Sequence, residues 1–337
     1  MVTLKPAAGS GRRAVKVPRN QEVNARRRSR CWCVRILAAR CPLPAAGRLC
    51  AALVLLVCTP AQAQLTEPFD HLHLAVPDIE QARDWYLRYM GGNAGETPER
   101  VAFGEWKGDH PLPISLLFLQ STTARPSAGS AIDHIGFSFA DLDATMTRLR
   151  TAGVKVVSPI RDMPGLWKQA TIEDPWGTRL ELVQDPDALG LHHVEVRVPD
   201  PEESFRWYVR AFGGDRTKYK GIDAIRYREL GVFYVFIVKG DQAAPSQGHS
   251  IDHLGFGPID LDKVVADLTA QGMTFASDPN PRGFPACTLR GAGDGGAGEV
   301  RRLYCAEPDQ LAHRVVSFDG PGGVRIELVQ HLEAGGH

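Results

Sequence analysis

Pro126-Ser127-Ala128-Gly129-Ser130-Ala131-Ile132-Asp133-His134-Ile135-Gly136-Phe137 returns 119 residues later as Pro245-Ser246-Gln247-Gly248-His249-Ser250-Ile251-Asp252-His253-Leu254-Gly255-Phe256. The match runs on into Asp141-Leu142-Asp143 and Asp260-Leu261-Asp262. Upstream, Asp70-His71-Leu72-His73-Leu74-Ala75-Val76-Pro77-Asp78 aligns with His192-His193-Val194-Glu195-Val196-Arg197-Val198-Pro199-Asp200; downstream, Arg179-Leu180-Glu181-Leu182-Val183-Gln184 returns as Arg325-Ile326-Glu327-Leu328-Val329-Gln330. A repeat of this kind is a tandem duplication, and each half holds two shorter units.

Each unit opens with an alternating strand that runs into an amphipathic helix. Asp78 is placed to cap the first helix, with Gln81 three residues on, and Ile79, Ala82, Trp85, Tyr86 and Met90 follow at helical spacing before Gly91-Gly92. In the third unit Asp200 caps, Pro201 takes the first helical position and Gly213-Gly214 closes; the second and fourth helices close at Gly153 and Gly272. Short β-type segments follow, among them Ile114 to Leu119, Lys168 to Glu173, Val232 to Val238 and Val315 to Phe318. Each unit therefore reads strand–helix–strands. A sheet that small leaves a face uncovered, so units are expected to pair.

Period-2 alternation assigns the faces. Leu72/Leu74/Val76, Ile135/Phe137/Phe139, Val194/Val196/Val198 and Leu254/Phe256 form an apolar face for the helices. The opposite face reads His71/His73/Ala75, His134/Gly136/Ser138, His193/Glu195/Arg197 and His253/Gly255/Gly257, with Arg179/Glu181 and Arg325/Glu327 joining it from the last strands. A histidine leads this face in every unit, a glutamate from the last strand lies on it in the second and fourth, and small residues beside them leave room for a ligand.

The Asp-His openings, the helix ending in Gly-Gly and Asp174-Pro175-Trp176-Gly177-Thr178-Arg179-Leu180-Glu181-Leu182 resemble the vicinal oxygen chelate superfamily, which includes glyoxalase I, extradiol dioxygenases and bleomycin-resistance proteins. The resemblance covers residues 69–331. It implies an α+β fold of four βαβββ modules paired into two open eight-stranded cups. The expected domains are 64–188, from modules 69–120 and 131–185, and 189–337, from modules 190–240 and 250–331 with an insertion at about 281–313. Carried over residue by residue, the resemblance puts metal ligands at His71, His134 and Glu181 in the first cup and at His193, His253 and Glu327 in the second. Register favours His193 over His192. Two imidazoles and a carboxylate suit Fe(II), Mn(II) or Zn(II), one ion per cup. Glyoxalase I-like members add a ligand on the last strand of the first module; the aligned residues here, Leu117 and Phe236, carry no donor, a departure from that pattern. His73 reads either as a general base or as a polar lining group. Arg179 reads either as a holder of an anionic oxygen or as the partner of the adjacent Glu181.

Charge and cysteine usage describe the rest. Residues 1–63 hold twelve of the 39 basic residues and one of the 39 acidic ones, which leaves 27 against 38, about −11, for the remainder. A body that acidic has no general attraction for nucleic acid. Arg48, the apolar run Leu49 to Cys58 and Ala61-Gln62-Ala63 have the order of a signal peptide cleaved near Ala63, and the run is short for a membrane span. The mature chain is then periplasmic or secreted, without an integral span, a monomer or homodimer. Five of the seven cysteines fall in the leader; Cys287 and Cys305 remain, and an oxidising compartment predicts a disulfide between them. Gly291 to Gly296 lacks the context of a phosphate loop and reads as a flexible connection. Three functions fit: a metal-dependent dioxygenase, lyase or isomerase on a small substrate with adjacent oxygens; a metal-free binder or sequestering protein of the resistance type; and an interaction module using the insertion.

Overall fold

The computed structural model describes residues 66–95, 97–104, 114–227, 233–258, 260–273, 275–276, 287–290, 301–305 and 313–331; the leader and the Gly291–Gly296 stretch lie outside them. The first module comprises β1 (Thr66–Val76), α1 (Ile79–Tyr89), β2 (Asn93–Ala94), β3 (Arg100–Phe103) and β4 (Ile114–Gln120). The second comprises β5 (Ile132–Ser138), α2 (Leu142–Thr151), β6 (Lys155–Asp162), β7 (Lys168–Glu173) and β8 (Arg179–Gln184). The third comprises β9 (Gly190–Val198), α3 (Pro201–Phe212), β10 (Asp215–Tyr219), β11 (Ile222–Arg226) and β12 (Tyr234–Lys239). The fourth comprises β13 (Ile251–Pro258), α4 (Leu261–Ala270), β14 (Phe275–Ala276), β15 (Cys287–Arg290), β16 (Arg301–Cys305), β17 (His313–Asp319) and β18 (Arg325–His331).

All four helices start the same way. Asp78, Asp141, Asp200 and Asp260 sit in extended backbone and accept the amide N–H three residues on, satisfying a donor the helix itself cannot. Within each module the first strand pairs in parallel with the last, as β1 does with β4 and β5 with β8. The four-module α+β architecture follows the expectation.

The pairing of modules does not. β1 pairs antiparallel with β13, so the first module shares a sheet with the fourth, in the order β15-β16-β17-β18-β13-β1-β4-β3-β2. β5 pairs antiparallel with β9, so the second and third modules share an eight-stranded sheet, β10-β11-β12-β9-β5-β8-β7-β6. The expected domains 64–188 and 189–337 are therefore not the two cups; each sheet draws one module from each half. Linkers reinforce the crossing: Ala131 N–H donates to Ala244 O at 2.8 Å and Ser250 N–H to Arg125 O at 2.7 Å. The insertion extends the first sheet, since β15 pairs with β16 and β16 with β17.

Modules adjacent in sequence meet through their helix layer instead. Trp85 of α1 stacks edge-on with Trp176 of the second module, and the Tyr86 hydroxyl donates to Asp174 Oδ2 at 2.8 Å. Trp207 of α3 reaches Phe318 of the fourth module, and Phe212 stacks on Phe256 at 4.0 Å between ring centres. Trp85 and Trp207 thus serve the core, as their helical spacing suggested.

Asp174 opens the turn that resembles the family, and its Oδ1 accepts the N–H groups of Trp176 and Thr178. Burial dominates its ionisation and pushes the carboxyl from 3.8 up to about 6, against those donors and Tyr86. The folded chain holds this proton more tightly than the unfolded chain, so the contribution is full below pH 3.8 and lost as pH rises through 6. That shift predicts a decline of roughly 3 kcal/mol in stability from this carboxyl between pH 4 and 7. Urea unfolding of wild type and Asp174→Asn should show the step in the first and its loss in the second. Equal pH slopes for the two proteins would rule out Asp174 as the group responsible.

Candidate metal centres

Strand register builds two equivalent rows of side chains. In the first sheet Ser115, His71, Gly255, Glu327 and Ser317 stand side by side across β4, β1, β13, β18 and β17. In the second, Tyr234, His193, Gly136, Glu181 and Thr171 do the same across β12, β9, β5, β8 and β7. One row along, His73 lies opposite His253, and Glu195 opposite His134. The glycine in each first row is what lets histidine and glutamate meet. A Cβ on Gly255 would lie 2.1 Å from the His71 ring, and one on Gly136 would lie 2.0 Å from the His193 ring.

Each histidine is preceded by the extra residue of a β-bulge. Asp70 is unopposed between the pairs Phe69↔Phe256 and His71↔Gly255, and Asp252 between His73↔His253 and Leu74↔Ile251. Asp133 and His192 are the corresponding extra residues of β5 and β9. Neighbours on a regular strand point to opposite faces; a bulge re-aims one of them, so each of these residues reaches the histidine beside it. His71 Nδ1 lies 2.6 Å from Asp70 Oδ1, His253 Nδ1 2.8 Å from Asp252 Oδ1, and His134 Nδ1 3.2 Å from Asp133 Oδ1. His193 Nδ1 instead faces His192 Nδ1 at 2.7 Å, and His192 Nε2 lies 3.3 Å from Asp185 Oδ2. The repeated Pro-Ser-x-Gly turn pins the bulges: Ser127 Oγ donates to Asp133 O at 2.8 Å, and Ser246 Oγ to Asp252 O at 2.7 Å.

These contacts fix the tautomers. With Nδ1–H donating to these partners, His71, His253, His134 and His193 each turn an Nε2 lone pair toward the centre. In the β1/β13 centre His71 Nε2 is 3.5 Å from Glu327 Oε1 and His253 Nε2 is 3.9 Å from Glu327 Oε2. Both Nε2 atoms are buried without a hydrogen-bond partner. In the β5/β9 centre His134 Nε2 and His193 Nε2 face each other at 3.2 Å, with Glu181 oxygens 4.0 and 3.8 Å away. Two lone pairs and a carboxylate converging in a buried place repel unless a cation or a proton lies between them. Neutral imidazoles with a carboxylate are the donor set of a divalent-metal site, and carboxylates behind the imidazoles are its usual support. The residues fit a metal ion.

Ionisation is tuned to match. Burial is the largest influence on His71 and pushes it down, but Asp70 and Glu327 outweigh it and hold the imidazolium up to about 9. Burial raises the Glu327 carboxyl, yet His71 and then His253 bring it below its ordinary range. Without metal, His71 thus favours its imidazolium form and Glu327 its carboxylate form. His73 is driven well below the ordinary range by burial and then by its histidine neighbours, as is His193. Burial lowers His134, but Asp133, Glu195 and Glu181 together raise it, while burial raises Glu181 itself.

The anticipated ligands all line the two cups, in altered company. His71 stands with His253 and Glu327, and His193 with His134 and Glu181; the expected groupings of His71 with His134 and Glu181, and of His193 with His253 and Glu327, are corrected because β1 zips to β13 and β5 to β9. His73 joins His71 and His253, their donor atoms lying within 4.8 Å of one another. Arg179 pairs with neither a free site nor Glu181. Its Nη1 donates to Asp133 Oδ1 at 3.1 Å and Oδ2 at 3.2 Å, so it holds the carboxylate that holds His134.

The rest of the second cup is aromatic. Trp167, Tyr219, Tyr234 and Phe236 pack together on the concave face, with Phe236 centred 4.6 Å from His193. Buried Asp185 gathers the Tyr219 hydroxyl at 2.6 Å, Lys220 Nζ at 2.8 Å and His192. The supporting residues Asp185, His192, Gly136 and Gly255 were not anticipated as such. For Asp70, Asp133 and Asp252 the signal was the Asp-His dipeptide itself, whose meaning depends on bulges that alternation does not predict.

The family model for the glyoxalase/bleomycin resistance protein/dioxygenase superfamily matches residues 69–182 and 190–328. The chain belongs to this superfamily. Maize glyoxalase I has a similar fold. A point mutant of that enzyme, a glutamate replaced by glutamine, aligns with a TM-score of 0.56 at 18% identity, over 79% of this chain and 94% of that one. The unmutated maize enzyme gives 0.54 at 18%, over 78% and 92%. The uncharacterized protein YaeR of Escherichia coli is 31% identical over 121 residues, 34% of this chain and 93% of that protein.

Proposed function

We propose that this superfamily member is an exported, divalent-metal-dependent enzyme, a dioxygenase, lyase or isomerase acting on a small substrate with vicinal oxygens. The observation that carries the reading is the pair of buried, convergent His–His–Glu sets with carboxylate-oriented imidazoles. A divalent ion bound there supplies Lewis acidity toward two neighbouring substrate oxygens. The chain supplies the rest. His134 and His193 offer neutral Nε2 donors, Asp133 and the His192–Asp185 pair fix their orientation, and the aromatic wall of Trp167, Tyr234 and Phe236 excludes water. The indole N–H of Trp167 is buried without a partner in that wall and can donate to a substrate oxygen. Glu195, whose Oε1 accepts Arg197 Nε–H at 3.1 Å, is the acid–base group beside His134 that belongs to neither ligand set.

Elemental analysis of protein purified without chelator tests this. Up to two divalent ions per chain are expected; a chain that binds none at neutral pH is instead a metal-free binder of the resistance type.

Export rests on the leader pattern and carries the cysteine prediction with it. Cys287 and Cys305 stand directly opposite in the β15/β16 register, and opposed residues of an antiparallel pair lie about 4.5–5.5 Å apart at Cα, inside the span a disulfide bridges. A bridge closing this loop is expected to add about 3 kcal/mol. Thiol labelling of the exported chain should find no free cysteine before reduction and two after; two reactive thiols at the start would exclude the bridge. No helix among the described residues is long and apolar enough to cross a membrane.

A further inference from the structure

We infer that His73 is a fourth protein ligand of the β1/β13 centre, which makes that centre a closed three-imidazole, one-carboxylate site for a borderline ion such as Zn(II), while the β5/β9 centre keeps three ligands and open positions. The inference rests on the metal-dependent reading above and goes further by distinguishing the two cups.

Both ring nitrogens of His73 are buried and neither has a hydrogen-bond partner. A buried imidazole in that state loses the hydrogen bonds it makes in water, and coordination recovers one of them. Its ring centre is 4.1 Å from that of His253 and 4.7 Å from that of His71. The three rings offer donors within 4.8 Å of one another, and Glu327, outside that cluster, lies 3.5 Å from His71 Nε2 and 3.9 Å from His253 Nε2. Donors around a tetrahedral zinc with bonds near 2.05 Å stand about 3.3 Å apart, a contraction within reach of small side-chain rotations. His73 also shares a register pair with Leu117, which carries no donor, so the imidazole supplies from β1 what β4 lacks.

The second cup offers no such group. The residue in the equivalent register is Glu195, and it is held elsewhere. Arg197 Nε binds it at 3.1 Å, and its Oε1 lies 3.9 Å from the Nδ1 of His134, the atom that faces Asp133 rather than the centre. A site closed by four protein ligands holds its ion structurally, whereas one with three leaves a place for substrate. The division assigns binding of an ion to one cup and turnover to the other.

Cobalt titration of the full chain in a His193→Ala background, which disables the β5/β9 centre, tests this. The expected result is one equivalent of Co(II) with the intense visible absorption of four-coordinate cobalt. Adding His73→Ala should weaken binding at least tenfold and reduce the band to that of a higher-coordinate ion filled by water. His73→Cys should restore the intense band and add thiolate-to-cobalt charge transfer, which no structural role for the residue would produce. Should His73→Ala fail to fold by circular dichroism, His73→Cys and His73→Gln carry the comparison. One equivalent of cobalt with band and affinity unchanged by His73→Ala would overturn the ligand role and leave the metal reading standing. No cobalt at this centre, with the β5/β9 centre loaded in wild type, would overturn the closed-site assignment. No cobalt in wild type at either centre would sink the metal reading itself.

Discussion

His71→Ala is expected to weaken the centre it shares with His73, His253 and Glu327 enough for its ion to be lost on dialysis, and to leave the one built by His134, Glu181 and His193 loaded. His134→Ala should do the reverse. The contrast matters because His71 and His134 lie in the same half of the tandem repeat, yet β1 belongs to one sheet and β5 to the other. Metal content should fall from two equivalents to one in each single variant and to none in the double. Since the sets share no side chain, their losses should add. Removing one ligand takes away a coordination bond outright, so the affected affinity should fall by more than the roughly 10–100-fold that loss of a supporting hydrogen bond brings. Should His71→Ala instead empty the His134 centre, with the His253 centre retained, the crossed pairing of modules would be wrong.

Gly136→Ala is the second large effect, and it comes from a residue with nothing to donate. The added methyl would stand 2.0 Å from the His193 ring, far inside contact distance, so the ring must leave its place over β5. Binding at the β5/β9 centre should weaken more than about a hundredfold, as though His193 were absent. Overpacking should also cost about 1–3 kcal/mol of stability. Pairing the change with His193→Ala separates the two: stability should recover because the clash is gone, while metal stays lost. Gly255→Ala should act the same way on His71 and spare the other centre. Full metal content in Gly136→Ala would show that the ring does not need the space above the glycine.

Alternation along β1, β5, β9 and β13 is enough to put the histidines on one face and the helices on the other, because a strand's side-chain period is set by its backbone alone. Asp78, Asp141, Asp200 and Asp260 mark helix starts for an equally local reason, the unpaired amides of a first turn. The supporting layer was harder to read. Asp70, Asp133, Asp252 and His192 are one residue from the histidines and by simple alternation belong to the opposite face; only the bulges bring them round. Arg179 illustrates the same limit, since Glu181 is its neighbour on the strand but Asp133, on β5, is its partner.

By itself, then, the sequence determined the four modules and their helix and cup faces, which follow from periodicity, capping and internal repetition within a few dozen residues, while the six candidate ligand positions came from the family resemblance laid over those faces. Which module joined which was decided by tertiary structure. Every first strand presents the same alternating pattern and the same free edge, so β1 is as well patterned to pair with β5 as with β13. The choice is made where α1 packs on the second module through Trp85, Trp176 and the Tyr86–Asp174 hydrogen bond, and where the two linkers hydrogen-bond to each other. Once the helix layer holds neighbouring modules back to back, their first strands face away from each other, and only the other half of the chain can complete each sheet and each ligand set.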